Sequence, residues 1–376
     1  MKPMRVLALA ALVLAACSNA GSGSIHSPIP IGTASPTFNP ADSKAADFRT
    51  RLDLLLGEHA MLVAKQAVAA SNHTDAYAGY LILLTANATS LVDVIRSAYG
   101  NTAATQFDEA WRIQNGYLVD YTIGLVTHND AKSNGAMSGL LKGFVPQFAK
   151  LIAGLTSISV ASTTQLQIQQ LMQLKEVIDK EAAQSYAAMY PGLRLAYATS
   201  TLIGDALAIS VVQQFPDKFP GDPSNKGVDE RVALNDLLQE HSYLATMTTD
   251  AAVNKRTAEQ SAAASSLGAN AEALSTLFTE IRGSVAGASI GELWGARNSD
   301  LIAYAINGDA AARQGLTEKF VTRFYALSPV ATDSARGQVL ATIKVIDDQR
   351  TKAFKAVAGD DKAAAAAMQV IADRIG

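Results

Sequence analysis

The feature that most constrains this chain is that much of it is written twice. Leu54-Leu55-Leu56-Gly57-Glu58-His59 returns as Asp236-Leu237-Leu238-Gln239-Glu240-His241. At a spacing of 182, Arg49 falls on Arg231, Leu52 on Leu234, Leu55 on Leu237 and Leu62 on Leu244. After a one-residue slip, a spacing of 183 pairs Leu84 with Leu267, Asn87 with Asn270, Trp111 with Trp294, Asn115 with Asn298 and Tyr121 with Tyr304. Farther on, 168 pairs Val177-Ile178-Asp179 with Val345-Ile346-Asp347, and Asp205 with Asp373. Self-similarity of this length means tandem duplication. The first repeat is expected over 45–214 and the second over 229–376, joined by a proline-rich linker, 215–228, that contains Phe215-Pro216-Asp217-Lys218-Phe219-Pro220.

The amino terminus carries a different signal. Lys2 and Arg5 form a charged region, Val6 to Ala16 an apolar one, and Leu14-Ala15-Ala16-Cys17 a small-residue cleavage site. Residues 1–17 therefore read as a signal peptide whose end resembles the lipobox of bacterial lipoproteins. That resemblance implies lipidation at Cys17 and an extracytoplasmic, membrane-anchored location; an ordinary cleaved signal is the alternative. Cys17 is the only cysteine, so an intrachain disulfide and a thiolate metal cluster are excluded. Residues 18–44, rich in Ser, Gly, Pro, Ala and Thr, read as a flexible tether. No later run reaches the eighteen or so consecutive apolar residues that a membrane crossing needs.

The formal charge of −3 becomes −5 once Lys2 and Arg5 leave with the signal, and the remaining charges are mixed along the chain. Nucleic acid is thus not expected as a partner. Apolar residues at three- and four-residue steps argue for helices throughout. Phe48, Leu52, Leu55, Leu56, His59, Leu62 and Val63 give the first helix one apolar face. The second carries Tyr80, Leu83, Leu84, Asn87 and Leu91, and the third Phe107, Trp111, Asn115 and Leu118. A fourth is expected to bend at Pro146. Two more should run over 163–189 and 191–214, and the second repeat should follow with helices near 229–254, 256–282, 287–307, 309–327, 331–358 and 360–375. The expected fold class is all-α, two tandem antiparallel bundles of about six helices each.

Polar residues on inward stripes are the candidates for chemistry. His59, Asn87 and Asn115 recur as His241, Asn270 and Asn298, and burying such groups is costly unless each is hydrogen-bonded. Glu58 and Glu240 lie about 100° round the helix from the histidines, at the edge of the buried face. Trp111 and Trp294 share the third-helix face, and Tyr121 and Tyr304 could close the network. One reading is a buried network that fixes helix register; the other is a small ligand or a metal inside each bundle, with His59 and His241 as the metal candidates. One imidazole, one carboxylate and two neutral amides form a poor zinc or copper set. The phosphate-loop, nucleophile-elbow and di-iron spacings are absent, so no catalytic residue and no cofactor are expected.

The Leu-Leu-x-Glu-His opening, the Trp-x-x-x-Asn helix and Gln-Phe-Pro-Asp-Lys-Phe at 214–219 resemble a loosely defined group of uncharacterised secreted helical proteins of bacteria, some labelled as copper amine oxidase. The group's third helix tends to carry a histidine where this chain has Asn115 and Asn298, so the resemblance implies an extracytoplasmic helical fold without an enzyme's ligand set. The expectation is a non-enzymatic binding or interaction module at the cell envelope, for a small ligand or a protein partner. A metal-binding protein using the two Glu-His pairs and a structural spacer are the alternatives.

Overall fold

Sequence periodicity is converted into helices nearly end to end in the computed structural model, which describes residues 39–328 and 331–375. The first repeat runs α1 (Lys44–Ser71), α2 (Ala76–Tyr99), α3 (Asn101–Val126), α4 (Asp130–Ser138), a π-helical segment Gly139–Phe144, α5 (Val145–Leu155), α6 (Val160–Ala182) and α7 (Tyr186–Gln214). The second runs α8 (Lys226–Val253), α9 (Thr257–Arg282), α10 (Ser284–Asn307), α11 (Ala310–Gln314), a π segment Gly315–Phe320, α12 (Val321–Leu327), α13 (Thr332–Thr351) and α14 (Phe354–Ile375). No strand occurs among the described residues, and the protein is all-α. Cys17, the signal and most of the expected tether lie outside the described residues. The tether's last residues are ordered: Ser43 caps α1 by accepting from the Ala46 amide, and Ala41 is buried.

The duplication reaches into the turns. Left-handed residues end helices at His73 and Lys255 and at Gln184 and Lys352, and a glycine with positive φ separates α2 from α3 (Gly100, 84°) and α9 from α10 (Gly283, 88°). Two helix ends differ from expectation for this reason. The chain breaks at Gln184, leaving Pro191 inside α7, and at Lys352, earlier than the expected boundary near 358–360.

The distortion before Pro146 is also not the proline's doing. The second repeat has the same π segment at the matching place, followed by Val321-Thr322 with no proline. What the two share is Gly-Leu at the start, a phenylalanine at the end and a second phenylalanine one turn later, packed on the repeat's tryptophan: Trp111 and Phe148 have centroids 5.9 Å apart, Trp294 and Phe324 6.1 Å. A π turn admits one extra residue per turn and so re-aims these rings.

The described body has one continuous core holding Leu62, Trp111 and Val177 of the first repeat with Leu244, Trp294 and Ile346 of the second. At its centre α1 packs on α8. The last helix of each repeat crosses over: α7 packs on α1 and on α9, α14 on α8 and on α2. As a result α1 is buried nearly all round, including Asp53, Glu58, Lys65 and Gln66, where a single apolar face was expected. The proline-rich segment is packed as well: Phe219 lies 4.5 Å from Phe48, ring centre to ring centre, and Lys218 donates to the Ala98 carbonyl at 2.6 Å. By length and composition α2 and α7 could cross a membrane, but half or more of each apolar stretch faces the interior of this body.

Candidate functional site

The inward polar residues assemble into one network per repeat. In the second, Asn270 bridges the Glu-His pair: its Nδ2 donates to Glu240 Oε2 at 2.7 Å and to the Leu237 carbonyl at 2.9 Å, while its Oδ1 faces His241 Nδ1 at 3.1 Å. Arg297 Nη1 sits 2.6 Å from His241 Nε2, and its Nη2 donates to Gln338 Oε1 at 2.6 Å. An amide oxygen and a guanidinium on the two ring nitrogens require a neutral imidazole with its proton on Nδ1. Burial and the Arg297 charge both push the His241 pKa well below its usual value.

The first repeat keeps part of this. Asn87 donates to Glu58 Oε2 at 2.8 Å and to the Leu55 carbonyl at 2.9 Å, as Asn270 does. At the position of Arg297, however, stands Gln114, whose amide is fully buried with both polar atoms unpartnered. His59 turns its Nε2 to Asn115 Oδ1, 2.8 Å away, so the proton sits on Nε2 and Nδ1 is left without a donor. The imidazole thus takes different partners in the two halves, Asn115 in the first and Asn270 with Arg297 in the second. Burial lowers the His59 pKa to about 4, against the raising effect of the Asn115 bond.

Other candidates are placed elsewhere. Tyr121 and Tyr304 do not close the histidine networks; they donate to Asp179 at 2.5 Å and Asp347 at 2.6 Å, tying α3 to α6 and α10 to α13. Trp111 and Trp294 pack beside their histidines at 5.0 and 6.1 Å, with the indole N–H of each unpartnered. Asn298 does not reach His241, and its Oδ1 is unpartnered. Glu58 and His59 address different partners, Asn87 and Asn115, whereas Glu240 and His241 both meet the neutral amide of Asn270, and among the described residues no three His, Cys, Asp or Glu side chains gather as a metal set. The metal reading therefore has no geometric support.

The repeats also grip one another by reciprocal contacts, as in an isologous dimer. Arg49 meets Asp205 of its own repeat, Asp229 at 2.5 Å and the Pro223 carbonyl at 2.6 Å. Arg231 meets Asp373 at 3.0 Å, Asp47 at 2.7 Å and the Ala41 carbonyl at 2.7 Å, the equivalent set. Arg194 on α7 reaches Glu240 at 2.9 Å, and Lys362 on α14, its equivalent in the second repeat, reaches Glu58 at 3.6 Å.

This symmetry generates two equivalent grooves, and they differ in what fills them. In one, Tyr197 on α7 lies against Gly57, where a Cβ would come within 2.6 Å of its ring, and donates to the Asp236 carbonyl and to Gln239 Oε1, each at 2.9 Å. Close by are Asp53 and Asp236, enclosed carboxyls whose pKa values are raised well above the usual range, chiefly by burial. This groove is sealed. In the other, Ala365 takes the place of Tyr197 and Asn235 that of Asp53, and a cleft of about 360 Å³ remains open between α1, α8 and α14, with Ser90 of α2 at its margin. Arg51, Glu58, Arg231, Asn235, Gln239 and Lys362 line it, with Asp47 and Asp373 at one end.

Comparison of the chain with family models, with curated proteins and with solved structures finds no match. The cleft rests on its geometry alone. Of its charged residues, sequence reading singled out Glu58. The signal for the others lay in the repeat alignment, where matched positions differ most in size: Gly57 against Gln239, and Tyr197 against Ala365.

Proposed function

We propose that this protein is a lipid-anchored, extracytoplasmic binding module that takes one small ligand per chain in the cleft between α1, α8 and α14, without catalysing a reaction on it. The observation that carries the reading is the unequal fate of the two grooves. Duplication supplied both, a tyrosine with a glycine beneath it closes one, and the other keeps a concave surface of charged, amide and apolar side chains at the join of the repeats, a preferred place for ligand sites. The body around it is closely packed and cross-braced by ion pairs between the repeats, which suits binding with little ordering cost.

The test is native mass spectrometry of the protein purified gently from membranes, beside Ala366→Trp. Ala366 is solvent-exposed and lines the cleft, so the indole occludes the space without entering the core. A bound small molecule on the native chain, absent from the variant, is the expected result. A bound molecule that Ala366→Trp leaves in place would move the site elsewhere.

A further inference from the structure

The charges around the open cleft define what it can hold. At one end Asp47 and Asp373 share the single guanidinium of Arg231, which leaves one formal negative charge in excess. One helical turn along α1 stands Arg51, exposed and without a carboxylate partner among the described residues. Beyond it Lys362 is only loosely held, 3.6 Å from a Glu58 whose carboxylate is already occupied by Tyr243 at 3.0 Å and Asn87 at 2.8 Å. The cleft is therefore dipolar, negative at the Asp47/Asp373 end and positive from Arg51 toward Lys362, and balanced overall.

Resting on the binding-module reading above, we propose that the ligand is a short peptide held as a zwitterion, its ammonium at Asp47 and Asp373 and its carboxylate between Arg51 and Lys362. The dimensions agree. One turn of helix separates Asp47 from Arg51, about 6 Å, and Asp47 to Glu58 spans about 16 Å. An extended dipeptide covers about 7 Å and a tetrapeptide about 14 Å. Leu54, Leu55, Ala365 and Ala366 supply an apolar wall between the charged ends, and Gln239 and Gln369 amides that can pair with peptide groups. A simple anion would leave the Asp47/Asp373 end unused, and a polyamine would face Arg51 and Lys362. Charge-assisted hydrogen bonds at both ends select for molecules that carry both charges at this separation.

Calorimetric titration of the full protein with L-alanyl-L-alanine, tri-L-alanine, L-alanine, N-acetyl-L-alanine and L-alaninamide tests this. The di- and tripeptide should bind; blocking either charge should weaken binding at least tenfold, about 1.4 kcal/mol. Arg51→Ala should weaken the dipeptide tenfold and leave L-alaninamide unchanged, and Asp47→Asn should do the converse with N-acetyl-L-alanine as the unchanged probe. Arg51 is exposed and makes no ion pair among the described residues, and when Asp47 loses its charge Arg231 still holds Asp373 and the Ala41 carbonyl; a circular-dichroism melt of each variant confirms that it folds before its binding is read. Equal binding of the blocked compounds, or no binding of any of the five to the native chain, overturns the peptide assignment. If a different molecule co-purifies and is lost in Ala366→Trp, the cleft stands as a binding site and only the ligand class fails. If the dipeptide binds Ala366→Trp as well as it binds the native chain, the location fails.

Discussion

Arg194 and Lys362 stand at equivalent positions of the two repeats, and each reaches the glutamate that opens the other repeat, Glu240 or Glu58. With the reciprocal Arg49–Asp229 and Arg231–Asp47 pairs, this makes the two repeats mutually dependent. Fragments 39–220 and 221–376 should each be largely unfolded or aggregated alone, because each leaves α1 or α8 with an uncovered face. Mixed after refolding, they should form a one-to-one helical complex, detectable by circular dichroism and gel filtration. Two independently folded, non-associating fragments would contradict the shared core.

Gly57 faces the ring of Tyr197 with no room for a methyl group. Gly57→Ala should destabilise the protein by about 1–3 kcal/mol in urea unfolding, the usual cost of forcing an atom into a packed site. In the Tyr197→Ala background the same change should cost much less, since the two positions are in contact and their effects couple. Equal costs in both backgrounds would show that Tyr197 does not seal the groove.

His59 is neutral in the folded protein, with a pKa of about 4 against an ordinary 6.5. Below pH 6.5 the unfolded chain takes up a proton that the folded chain refuses, so this residue removes stability as pH falls from about 6.5 to 4. The full effect is roughly 3 kcal/mol. His59→Gln should flatten the fall in stability over that window relative to the native protein, measured by urea midpoints at pH 7, 5.5 and 4.5. An unchanged slope would mean the imidazole is not enclosed.

Glu181 gives the opposite sign. Burial, with Glu259 nearby, raises its pKa from 4.5 to about 8, and both of its oxygens lack partners. The folded state holds a proton that the unfolded state releases, so stability is lost as pH rises from about 4.5 to 8, by roughly 5 kcal/mol at most. Glu181→Gln should nearly match the native protein at pH 5 and exceed its stability at pH 9. A variant less stable at pH 9 would overturn this assignment.

Lipidation at Cys17 predicts that cells fed labelled palmitate will label the native protein, and that Cys17→Ser will be unlabelled and released from membranes. A native chain that stays unlabelled would remove the anchor from the proposal.

The helices, the repeat and the inward His-Asn pairs were legible because each is a local or periodic property. Asn87 and Asn270 are buried where their register put them, but they bond the glutamates that the sequence placed only at the edge of that face. The charges on α1 were not. Arg49, Asp53 and Lys65 look like a solvated face, yet Lys65 is buried against Asp361 at 2.5 Å and Thr246 at 2.8 Å, both from the other repeat. Nothing in the periodicity of one helix announces that its polar side will be covered by a helix from the far end of the chain. The cleft was hidden for a related reason: it exists because a tyrosine is missing at 365, and an absence appears only when the two copies are compared position by position.

The paired π segments date the events that shaped this molecule. A π turn begins as an insertion into an ordinary helix, and two at matching places are most simply one insertion copied. The single-copy ancestor already carried it, and contacts that swap sides so faithfully are those of a symmetric homodimer. Such an ancestor would carry two identical grooves, and fusing the subunits into one gene would free them to diverge, one filled like a mortared joint and the other left open.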